Sequence, residues 1–577
     1  MDSKRMQELL ANYKRTQAEK LINPADAPGK LFSPEYPPVP TLPELRQELT
    51  VINTAISNSL TSDQVIDRYG NVITLNKKQL EFVQKVGKEG NSGVLIGAAG
   101  TGKTTTQFAV TQELIQSGHA GIMQAGDHKY LNSGTPGIVI CAYTRRAVAN
   151  IKRNLPADLQ ANAITVHKLL EYQPVYYEVM DPNSGDSKNT MKFEATRHSE
   201  NPLPSSINYI IIEESSMLGV DLYRQIVNAC PHNPKFIFLG DIQQLPPVFG
   251  PAILGFKLLE LPVVELTEVY RQALESPIIS LAHRILSGIP IQPEEFPAWK
   301  FPGKLTLHPW KKRIEAGAAL NTAGVFFTTA YDKSAYDPEE DIILIPFNKS
   351  FGTDELNKKI ANHLARTSNA IVYQVVAGFN RHHFHIGAKV LYDKEDATII
   401  NIQENPSYSG QPPIMASNTL DYWGYDSAGN SHSAQELDDD KVDFLLGQVA
   451  NAEQSEDRVR SASHTITLQM NDSEQVVKVD NASGINAMLL GYCLTVHKSQ
   501  GSEWRKVFLM LHQSHNTMIQ RELLYTAVTR AKEELYVICE PDSFVKGIIG
   551  QRVKGDTLAE KAEYFKGKIN DGFMLEG

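Results

Sequence analysis

The chain has 577 residues, far more than one hydrophobic core accommodates, so we expect several domains. Its formal net charge of −10 gives no overall attraction to nucleic acid, which disfavours a passive, charge-driven nucleic-acid binder. The four cysteines have no zinc-ligand spacing, and no apolar segment reaches the roughly 18 residues that span a membrane. We therefore expect a cytoplasmic protein with buried thiols and no membrane contact.

The N-terminal residues 1–70 are predicted to form a separate arm. Residues 1–30 have the apolar spacing of an amphipathic helix, and the proline-rich sequence FSPEYPPVPTLPEL follows them. Two interpretations stay open: the arm packs against the rest of the protein, or it docks a partner.

From Leu75 onward, short apolar strands alternate with helical patterns. The sequences VLIG, GIVICAY, YIIIEE and KFIFLGD form a first series, and DIILIPF, RKVFLML and ELYVICE form a second. Such alternation predicts a parallel sheet covered by helices on both faces, and two series predict two α/β domains. The predicted bounds are 71–170 with 207–265 for the first domain, 266–384 with 484–545 for the second, and 546–577 for a C-terminal tail.

Two segments interrupt this alternation. Residues 171–206 contain two aromatic-rich runs around a polar turn, which is the pattern of a β-hairpin. Residues 385–483 contain short strands that predict a small β-barrel, split by a long polar stretch over 405–463. The acidic sequence ELDDDKVDF in that stretch is typical of a solvated loop, with a cation site as the alternative.

The sequence VLIGAAGTGKTTT, from Val94 to Thr106, predicts a phosphate-binding loop. An apolar strand precedes the pattern G-x-x-x-x-G-K-T and a helix-forming segment follows it, which is the setting that this motif requires. The glycines let backbone N–H groups converge on phosphate oxygens, and the helix N-terminus adds positive potential. Lys103 is predicted to contact the β- and γ-phosphates of a nucleotide, and Thr104 to hold Mg²⁺.

Five further positions suit phosphoryl transfer. The apolar strand NYIII leads into Glu213, predicted to hold Mg²⁺ through water, and Glu214, predicted to activate the attacking water. After the next strand, the amide of Gln244 can contact the terminal phosphate without repelling it. Arg271 and Arg530 are candidates for a guanidinium that stabilises transition-state charge, although either alone is more often a surface ion pair.

In combination these motifs resemble those of superfamily 1 helicases, and most closely the RecD and Dda branch. The resemblance covers roughly residues 75–539 and is dense only in motif blocks; GDIQQLPPV is among the most discriminating, and LTVHKSQGSEW and YTAVTRAKE match two others. It implies two RecA-like domains with ATP in the cleft between them, a strand-separating hairpin and an SH3-like barrel. One position departs from the family pattern, because Glu213 stands where the metal-binding motif usually has Asp.

The resemblance also implies roles for individual residues. The implied nucleotide-binding residues are Gln79, Gly97, Gly100, Gly102, Lys103, Thr104, Thr105 and Glu503. Single-stranded DNA would contact Thr144, Arg145, Thr165 and His167 on the first domain and Thr495, His497 and Lys498 on the second. In the hairpin, Tyr176, Tyr177 or Phe193 would stack against the first base pair at a fork, with ordinary packing inside the hairpin as the alternative.

These expectations combine into an ATP-dependent DNA helicase that moves along single-stranded DNA, 5′ to 3′ by the resemblance, in replication, recombination or repair. Its partners would be single-stranded and forked DNA, with replication or recombination proteins at the N-terminal arm or the acidic insertion, and its active form a monomer. Resemblance to Dda implies a bacteriophage source and hence a bacterial host cytoplasm. Two other functions stay open: an assembly protein with a weakened nucleotide site, and a phosphate-loop NTPase that acts on a small molecule.

Overall fold

The structure is a computed structural model that describes residues 63–66, 72–122, 136–155, 159–180, 187–247, 250–269, 276–291, 300–301, 305–309, 316–348, 352–378, 380–392, 395–405, 461–471 and 475–570. Most of the predicted N-terminal arm and most of the predicted acidic stretch lie outside these residues. The architecture is mixed α/β with two mainly parallel sheets, as the alternating apolar runs predict.

The strands of this part of the chain are short and are numbered here in chain order. They are β1 (Gln64–Ile66), β2 (Val72–Thr74), β3 (Gly93–Gly97), β4 (Ala120–Gly121), β5 (Gly137–Ala142), β6 (Ala163–Thr165), β7 (Tyr172–Met180), β8 (Ser187–Ala195), β9 (Ile207–Ile212), β10 (Lys235–Gly240), β11 (Val263–Leu266), β12 (Lys300–Phe301), β13 (Leu305–Pro309), β14 (Asp341–Ile345), β15 (Val372–Ala377), β16 (Asn380–His385), β17 (Lys389–Tyr392), β18 (Glu395–Glu404), β19 (Ser461–Met470), β20 (Val476–Asn481), β21 (Leu489–Leu490), β22 (Cys493–Thr495), β23 (Trp504–Leu511) and β24 (Ala531–Cys539).

The α-helices are numbered in the same way. They are α1 (Lys77–Val83), α2 (Lys103–Gln116), α3 (Arg145–Asn154), α4 (Val166–Leu169), α5 (Val220–Asn228), α6 (Ile253–Glu260), α7 (Pro277–Leu286), α8 (Ala316–Asp332), α9 (Thr353–Thr367), α10 (Ala482–Asn486), α11 (Arg521–Val528), α12 (Pro541–Ile549) and α13 (Leu558–Asn570). A π-helical turn at Gln84–Lys88 continues α1, and short 3₁₀ segments cover Gln160–Asn162, Ser215–Met217 and Gln513–His515.

The first sheet has the strand order β11-β3-β10-β9-β5-β4, with β6 beside β5, and all its pairings are parallel. Strands β3 and β5 are buried at every residue, as expected for strands covered by helices on both faces. Because the strands are parallel, the residues that follow β3, β9 and β10 meet at one edge of the sheet. That edge carries the glycine-rich loop and the paired glutamates.

The second sheet has the order β12-β13-β24-β23-β14-β22 and is parallel except for the β12–β13 pair. Its strands pack against α7 and α11 in one hydrophobic core, which includes Leu281, Leu509 and Leu524. A second core on the sheet's other face contains Phe327 and Phe508. Helices therefore cover both faces of this sheet as well.

Antiparallel strands account for the two segments that interrupt the alternation. Strands β7 and β8 pair in register from Tyr172 with Ala195 to Met180 with Ser187. Farther along the chain, β20-β19-β18-β17-β21 form a five-stranded antiparallel sheet with its own apolar core, and β15 and β16 form a separate pair. The predicted polar stretch joins β18 to β19. The assignments of these parts as a strand-separating hairpin and an SH3-like barrel stay predictions.

The segment predicted as a C-terminal tail contains the end of α12 and all of α13, and it returns to the first sheet. Helix α13 packs on α6, where Phe565 lies against Phe256 with ring centroids 5.3 Å apart. A side chain at Gly255 would collide with the Phe565 ring, so the glycine leaves the space in which this ring packs. The end of the described chain is therefore part of the core of the first sheet.

Three compositional expectations can be compared with the structure. All four cysteines are buried and free of disulfides, as predicted. Within the described ranges, none of the helices has the length and hydrophobicity needed to cross a membrane. The same ranges contain no cluster of His, Cys, Asp and Glu side chains that could hold a metal ion by themselves.

Candidate active site

The glycine-rich loop between β3 and α2 needs the glycines of its motif. Gly100 and Gly102 have φ values of +79° and +85°, the left-handed region that favours glycine. A Cβ at Gly97 would collide with the Thr101 hydroxyl, so only glycine fits there. These three positions let the backbone turn tightly into the N-terminus of α2.

Two predicted nucleotide-binding side chains contact this loop. Lys103 donates from Nζ to the carbonyl oxygens of Gly97 at 2.6 Å and Ala98 at 3.2 Å. Gln79 is fully buried, forms the capping box of α1 and donates from Nε2 to the Gly102 carbonyl at 3.3 Å. The structure therefore brings both side chains to the loop. Thr104 is exposed and Thr105 is half-buried in the first turn of α2.

The paired glutamates directly follow β9. The N–H of Glu213 donates to the Cys141 carbonyl at 2.8 Å and extends the strand pairing by one residue. Glu214 has φ +49°, an unfavourable value for a residue with a side chain, and such strain is concentrated at functional sites. Its Oε2 is buried and has no hydrogen-bond partner among the described residues. This oxygen is suited to hold a water molecule or another polar ligand.

Electrostatic interactions connect the glutamates with the loop. Burial and, to a lesser extent, the charge of Glu214 raise the pKa of Glu213 to about 8, although the charge of Lys103 opposes them. The lysine and the two carboxylates are therefore within electrostatic reach of one another. Bound cations at this edge would favour the ionised form of Glu213.

The turn after β10 carries Asp241 and Gln244. Both side chains are buried, and Asp241 orders the turn because its Oδ1 accepts the Gln243 N–H at 3.0 Å. The amide oxygen of Gln244 has no hydrogen-bond partner within the described part of the chain. A buried, unsatisfied acceptor beside the loop is consistent with a site that takes a polar ligand.

Tyr525 is a site residue that the sequence analysis missed. It lies on α11, which packs on the second sheet, and its hydroxyl donates to Asp241 Oδ2 at 2.5 Å and accepts the Ala99 N–H at 2.8 Å. The neighbouring Thr526 accepts the Leu245 N–H at 2.9 Å. Helix α11 thus stands directly against the glycine-rich loop. The sequence feature that could have identified Tyr525 is its position in the YTAVTRAKE block, five residues before Arg530.

The other predicted catalytic positions differ in their surroundings. Arg530 is almost fully buried and donates to Thr526 O at 2.9 Å, Ser502 O at 3.2 Å and Thr529 Oγ1 at 3.2 Å. Its described hydrogen bonds therefore go to the second sheet's own segments. Glu503 is about half exposed and lies 4.0 Å from the Lys532 ammonium, which places it at the surface. Arg271 lies outside the described residues.

On the first sheet, the residues predicted to bind DNA lie after β5 and β6. Thr144 and Thr165 cap α3 and α4, accepting the N–H groups of Ala147 and Lys168 at 3.1 Å each. Their hydroxyls are therefore used to start helices. His167 packs edge-on between two aromatic rings, those of Tyr143 and Tyr172.

A basic cluster lies at the same edge. The pKa of Lys168 is lowered by partial desolvation and by the positive charges of Lys152 and Arg145. All three side chains are exposed, so they form a local positive surface on a chain of net negative charge. Sequence reasoning identified Arg145 and missed the two lysines, which come together only because α3 and α4 both lie beside β6.

On the second sheet, the predicted DNA-binding residues follow β22. Thr495 is buried and its hydroxyl accepts the Lys498 N–H at 3.3 Å, while His497 and Lys498 are half-buried. The loop then reaches α3, where the Gly501 carbonyl accepts from Asn150 Nδ2 at 3.0 Å. The two predicted DNA-binding sets therefore lie on segments that contact each other.

Arg146 is a second residue that the sequence analysis missed. Its guanidinium forms an ion pair with Asp396 of β18, lies 3.4 Å from Ser502 Oγ and stands over the Trp504 ring at 5.3 Å. One buried arginine on α3 therefore contacts both the second sheet and the five-stranded sheet.

The residues predicted to separate strands can be placed only by their backbone. The register pairs Tyr176 with Met191, Tyr177 with Thr190, and Phe193 with Pro174. Their side chains lie outside the described part of the protein, so their predicted stacking role stays a prediction.

Two protein families match parts of the chain. Residues 79–250 match the family described as an AAA domain, and residues 490–538 match the UvrD-like helicase C-terminal domain. The first match includes the glycine-rich loop and the paired glutamates, and the second includes the loop after β22 and α11. The matched segments thus contain the parts of the two sheets that meet at the candidate site.

The chain is also similar to helicases of several organisms. The ATP-dependent RecD2 DNA helicase of Deinococcus radiodurans is 28% identical over 448 residues, which cover 77% of this chain and 46% of that protein. The RecBCD enzyme subunit RecD of Mycobacterium tuberculosis is 22% identical, over 81% of this chain and 69% of that protein. Among solved structures, the Pif1 helicase of Candida albicans has a TM-score of 0.43 at 14% identity, with 86% of this chain and 99% of that chain covered.

This chain spans less than half the length of the Deinococcus protein. The two family matches occur in the order that the motif blocks predict, and the RecD relatives align with more than three quarters of the chain. These matches support a superfamily 1 helicase of the RecD type.

Proposed function

We propose that the protein is an ATP-dependent DNA helicase that moves along single-stranded DNA and unwinds duplexes. The observation that carries this proposal is the position of α11: Tyr525 contacts the glycine-rich loop of the first sheet, and Arg530 follows on the same segment. A nucleotide bound at that loop would lie beside elements of both sheets. Its hydrolysis would then depend on how the two sheets are placed relative to each other.

The residues at the loop fit ATP and Mg²⁺. Glycine-dependent turns expose backbone N–H groups to phosphate, and Lys103 supplies a cation. Thr104 and Glu213 would hold Mg²⁺, which neutralises phosphate charge when bound. Glu214 would accept a proton from the attacking water at its buried carboxylate oxygen, which has no described partner. Gln244 would contact the terminal phosphate.

Arg530 would complete the site from the second sheet. Its guanidinium is held by Thr526, Ser502 and Thr529, so a shift of α11 would carry it toward or away from the loop. A guanidinium that stabilises the transferring phosphoryl group is worth about 10³–10⁵ in rate. The catalytic role of Arg271 and the nucleotide contacts of Gln79, Thr105 and Glu503 are proposed from the family resemblance.

Glu213 takes the place of the family's usual Asp. Its side chain is longer by one methylene, which an Mg²⁺ contact through water can accommodate. Burial and the charge of Glu214 outweigh the charge of Lys103 and keep the pKa of Glu213 at about 8, so a bound cation would be what favours its ionised form. We therefore expect Glu213 to support hydrolysis when Mg²⁺ is bound.

Single-stranded DNA would cross the adjoining edges of the two sheets. The basic cluster of Arg145, Lys152 and Lys168 supplies the local attraction that the net charge of −10 does not. His167, together with Thr495, His497 and Lys498, would continue the track onto the second sheet. Because Thr144 uses its hydroxyl as a helix cap, we expect phosphate contacts at α3 to come from N–H groups at the helix start.

The finer parts of the proposal rest on family resemblance. They are movement from 5′ to 3′, strand separation by the β7–β8 hairpin, an SH3-like role for the five-stranded sheet, a monomeric active form in the cytoplasm, and service in replication, recombination or repair. The antiparallel pairing of β7 and β8 supports the hairpin as an independent projection.

The experiment that tests the proposed function measures ATP hydrolysis with and without single-stranded DNA, and unwinding of forks with a 5′ or a 3′ tail. Wild type should hydrolyse ATP faster with DNA and unwind only from the 5′ tail. Lys103→Ala should abolish both activities, and Glu214→Gln should slow hydrolysis about 10²–10⁴-fold. Lys85→Ala removes an exposed lysine that pairs with Glu81 and should match wild type.

Each contrary result identifies a different error. No turnover would favour an assembly protein with a weakened site, and turnover indifferent to DNA would favour a small-molecule NTPase. Unwinding only from the 3′ tail would overturn the direction alone. Full activity of Glu214→Gln would overturn the assignment of the water-activating residue.

A further inference from the structure

The β7–β8 hairpin is attached to the first sheet at its root, which we define as residues 170–173 and 194–197. In the described sheets, β7 and β8 pair with each other and with no other strand. Tyr172 and Ala195 form the first pair of their register, and both pack against the core of the first sheet. The hairpin root is therefore the described point at which the hairpin can be held at a fixed angle to the sheet.

The chain turns sharply in the hairpin root, where α4 meets β7. Glu171 has φ +51°, in the left-handed region that a residue with a side chain adopts only at a cost. The Thr196 hydroxyl donates to the Glu171 carbonyl at 2.9 Å, and the Arg197 N–H donates to the Leu170 carbonyl at 3.2 Å. The Arg197 guanidinium also pairs with the Glu171 carboxylate at 2.9 Å. Residues that follow β8 therefore hold the strained turn that precedes β7.

Tyr172 attaches the hairpin root to a helix of the first sheet. Its hydroxyl donates to Gln225 Oε1 of α5 at 2.6 Å, and burial raises the pKa of this hydroxyl, so it stays a donor at neutral pH. The Tyr172 ring also meets the His167 ring edge-on, with the ring centroids 5.0 Å apart. Because His167 is one of the residues proposed to contact single-stranded DNA, the hairpin root lies beside the proposed DNA track.

A hairpin that separates strands must resist the duplex that is driven against it. The free energy of opening a base-pair step differs about fourfold between the weakest and the strongest steps. If the hairpin root gives way more easily than the step opens, the hairpin tilts and the duplex stays closed. Because this load is greatest at G·C-rich steps, a weakened hairpin root should fail there first.

We propose that the hairpin root holds the hairpin at a fixed angle to the DNA track, and that Tyr172 and Arg197 are its positioning residues. They take no part in ATP hydrolysis, and they determine how much of the movement along DNA is converted into strand separation. This inference rests on the proposed function and adds two residues that the sequence analysis did not identify.

The test measures the unwinding rates of an A·T-rich and a G·C-rich forked duplex. Tyr172→Phe and Gln225→Leu each remove one side of the same hydrogen bond. Either should raise the ratio of the A·T-rich to the G·C-rich rate about 2- to 10-fold, the range that one hydrogen bond supplies, and combining them should add nothing further. Arg197→Gln breaks the ion pair with Glu171 and should also raise the ratio. ATP hydrolysis stimulated by single-stranded DNA should stay at the wild-type rate in all these variants.

The ratio of the two unwinding rates separates positioning from a merely structural role. A variant that only folds less well loses the same share of both unwinding rates and of ATP hydrolysis, so its ratio stays that of wild type. Asp221→Asn is the matched control, because it changes an exposed side chain of the helix that carries Gln225, and it should match wild type.

Two contrary results have different meanings. If wild type unwinds both forks and Tyr172→Phe or Arg197→Gln keeps its ratio, or if combining Tyr172→Phe with Gln225→Leu raises the ratio beyond either single change, the role of the hairpin root is wrong and the proposed function stands. If wild type unwinds neither fork, the proposed function fails and the role of the hairpin root fails with it.

Discussion

Helix α11 makes two different contacts with the first sheet. One is the loop contact, formed by Tyr525 with Ala99 and Asp241 and by Thr526 with the Leu245 N–H, beside which Gln500 of the segment after β22 donates to the Leu245 carbonyl. The other is the C-terminal strap, residues 550–570, which starts beside Arg521 and Glu522 of α11 and ends in the core of the first sheet.

The strap is held by apolar burial and buried charges. Phe565 packs on Phe256, and Glu522 accepts the N–H groups of Arg552 and Val553 at about 3 Å. Lys561 is 1% exposed and donates to the Val553 carbonyl at 3.1 Å. Burial lowers the pKa of Lys561, and the charge of Glu522 counteracts this effect. Such groups are costly to separate once they are buried.

The loop contact combines individual hydrogen bonds, each worth only about 0.5–1.5 kcal/mol net, with the packing of Leu245 and Ala99 against the core around α11. A bound ligand can replace several of these hydrogen bonds, whereas it cannot replace the buried phenylalanine of the strap. The polar part of the loop contact is therefore the part that a ligand can displace.

The largest expected effect is on the strap. Phe565→Ala should lower the free energy of unfolding by about 3–5 kcal/mol, because it removes a buried ring from the seat made by Phe256 and Gly255. Urea unfolding followed by circular dichroism measures this change. Lys566→Ala alters the adjacent exposed residue and should change stability by about 0.5 kcal/mol or less. Equal effects of the two substitutions would show that the strap does not hold the sheets.

The core of the site could be predicted because its determinants are local. Buried parallel strands appear as continuous apolar runs, and the residues that follow them must meet at one edge. The sequence NYIII followed by Glu213 and Glu214, and the loop after Ile96, needed no other information. The structure places Lys103 and both glutamates within electrostatic reach, as this pattern predicts.

The missed features depend on residues distant in sequence. Tyr525 and Asp241 are 284 positions apart, and neither position indicates the other. The packing site of Phe565 depends on Gly255 in α6, so the sequence of α13 by itself resembles that of an ordinary surface helix. The basic cluster was hidden because the net charge averages over the whole chain, while Lys152 and Lys168 come near each other only in the fold, where α3 and α4 both lie beside β6.

An intermediate effect is expected at Arg146, whose ion pair with Asp396 joins α3 to the five-stranded sheet. Its ion pair with Asp396 has side-chain exposures of 8% and 19%, so solvent screens it less than a surface pair. A double-mutant cycle with Arg146→Gln and Asp396→Asn should give a coupling of about 1–3 kcal/mol in urea unfolding. The exposed pair Lys358–Glu355 is the control and should couple by about 0.5 kcal/mol or less. Additive effects at Arg146 and Asp396 would mean that the five-stranded sheet is not linked to α3 through this pair.

An effect no larger than that at Arg146 is expected at Thr526, and it tests how strongly one hydrogen bond of the loop contact contributes. Thr526→Val keeps the shape of the side chain and removes the acceptor of the Leu245 N–H, so stability should fall by about 1–3 kcal/mol, the cost of one buried unsatisfied donor. Thr111→Val is the matched control, because that buried hydroxyl donates to the Gln107 carbonyl within α2 and makes no contact between the sheets. A loss well below the effect of Phe565→Ala supports the loop contact as the weaker of the two contacts, and a loss as large as that of Phe565→Ala would contradict this ranking.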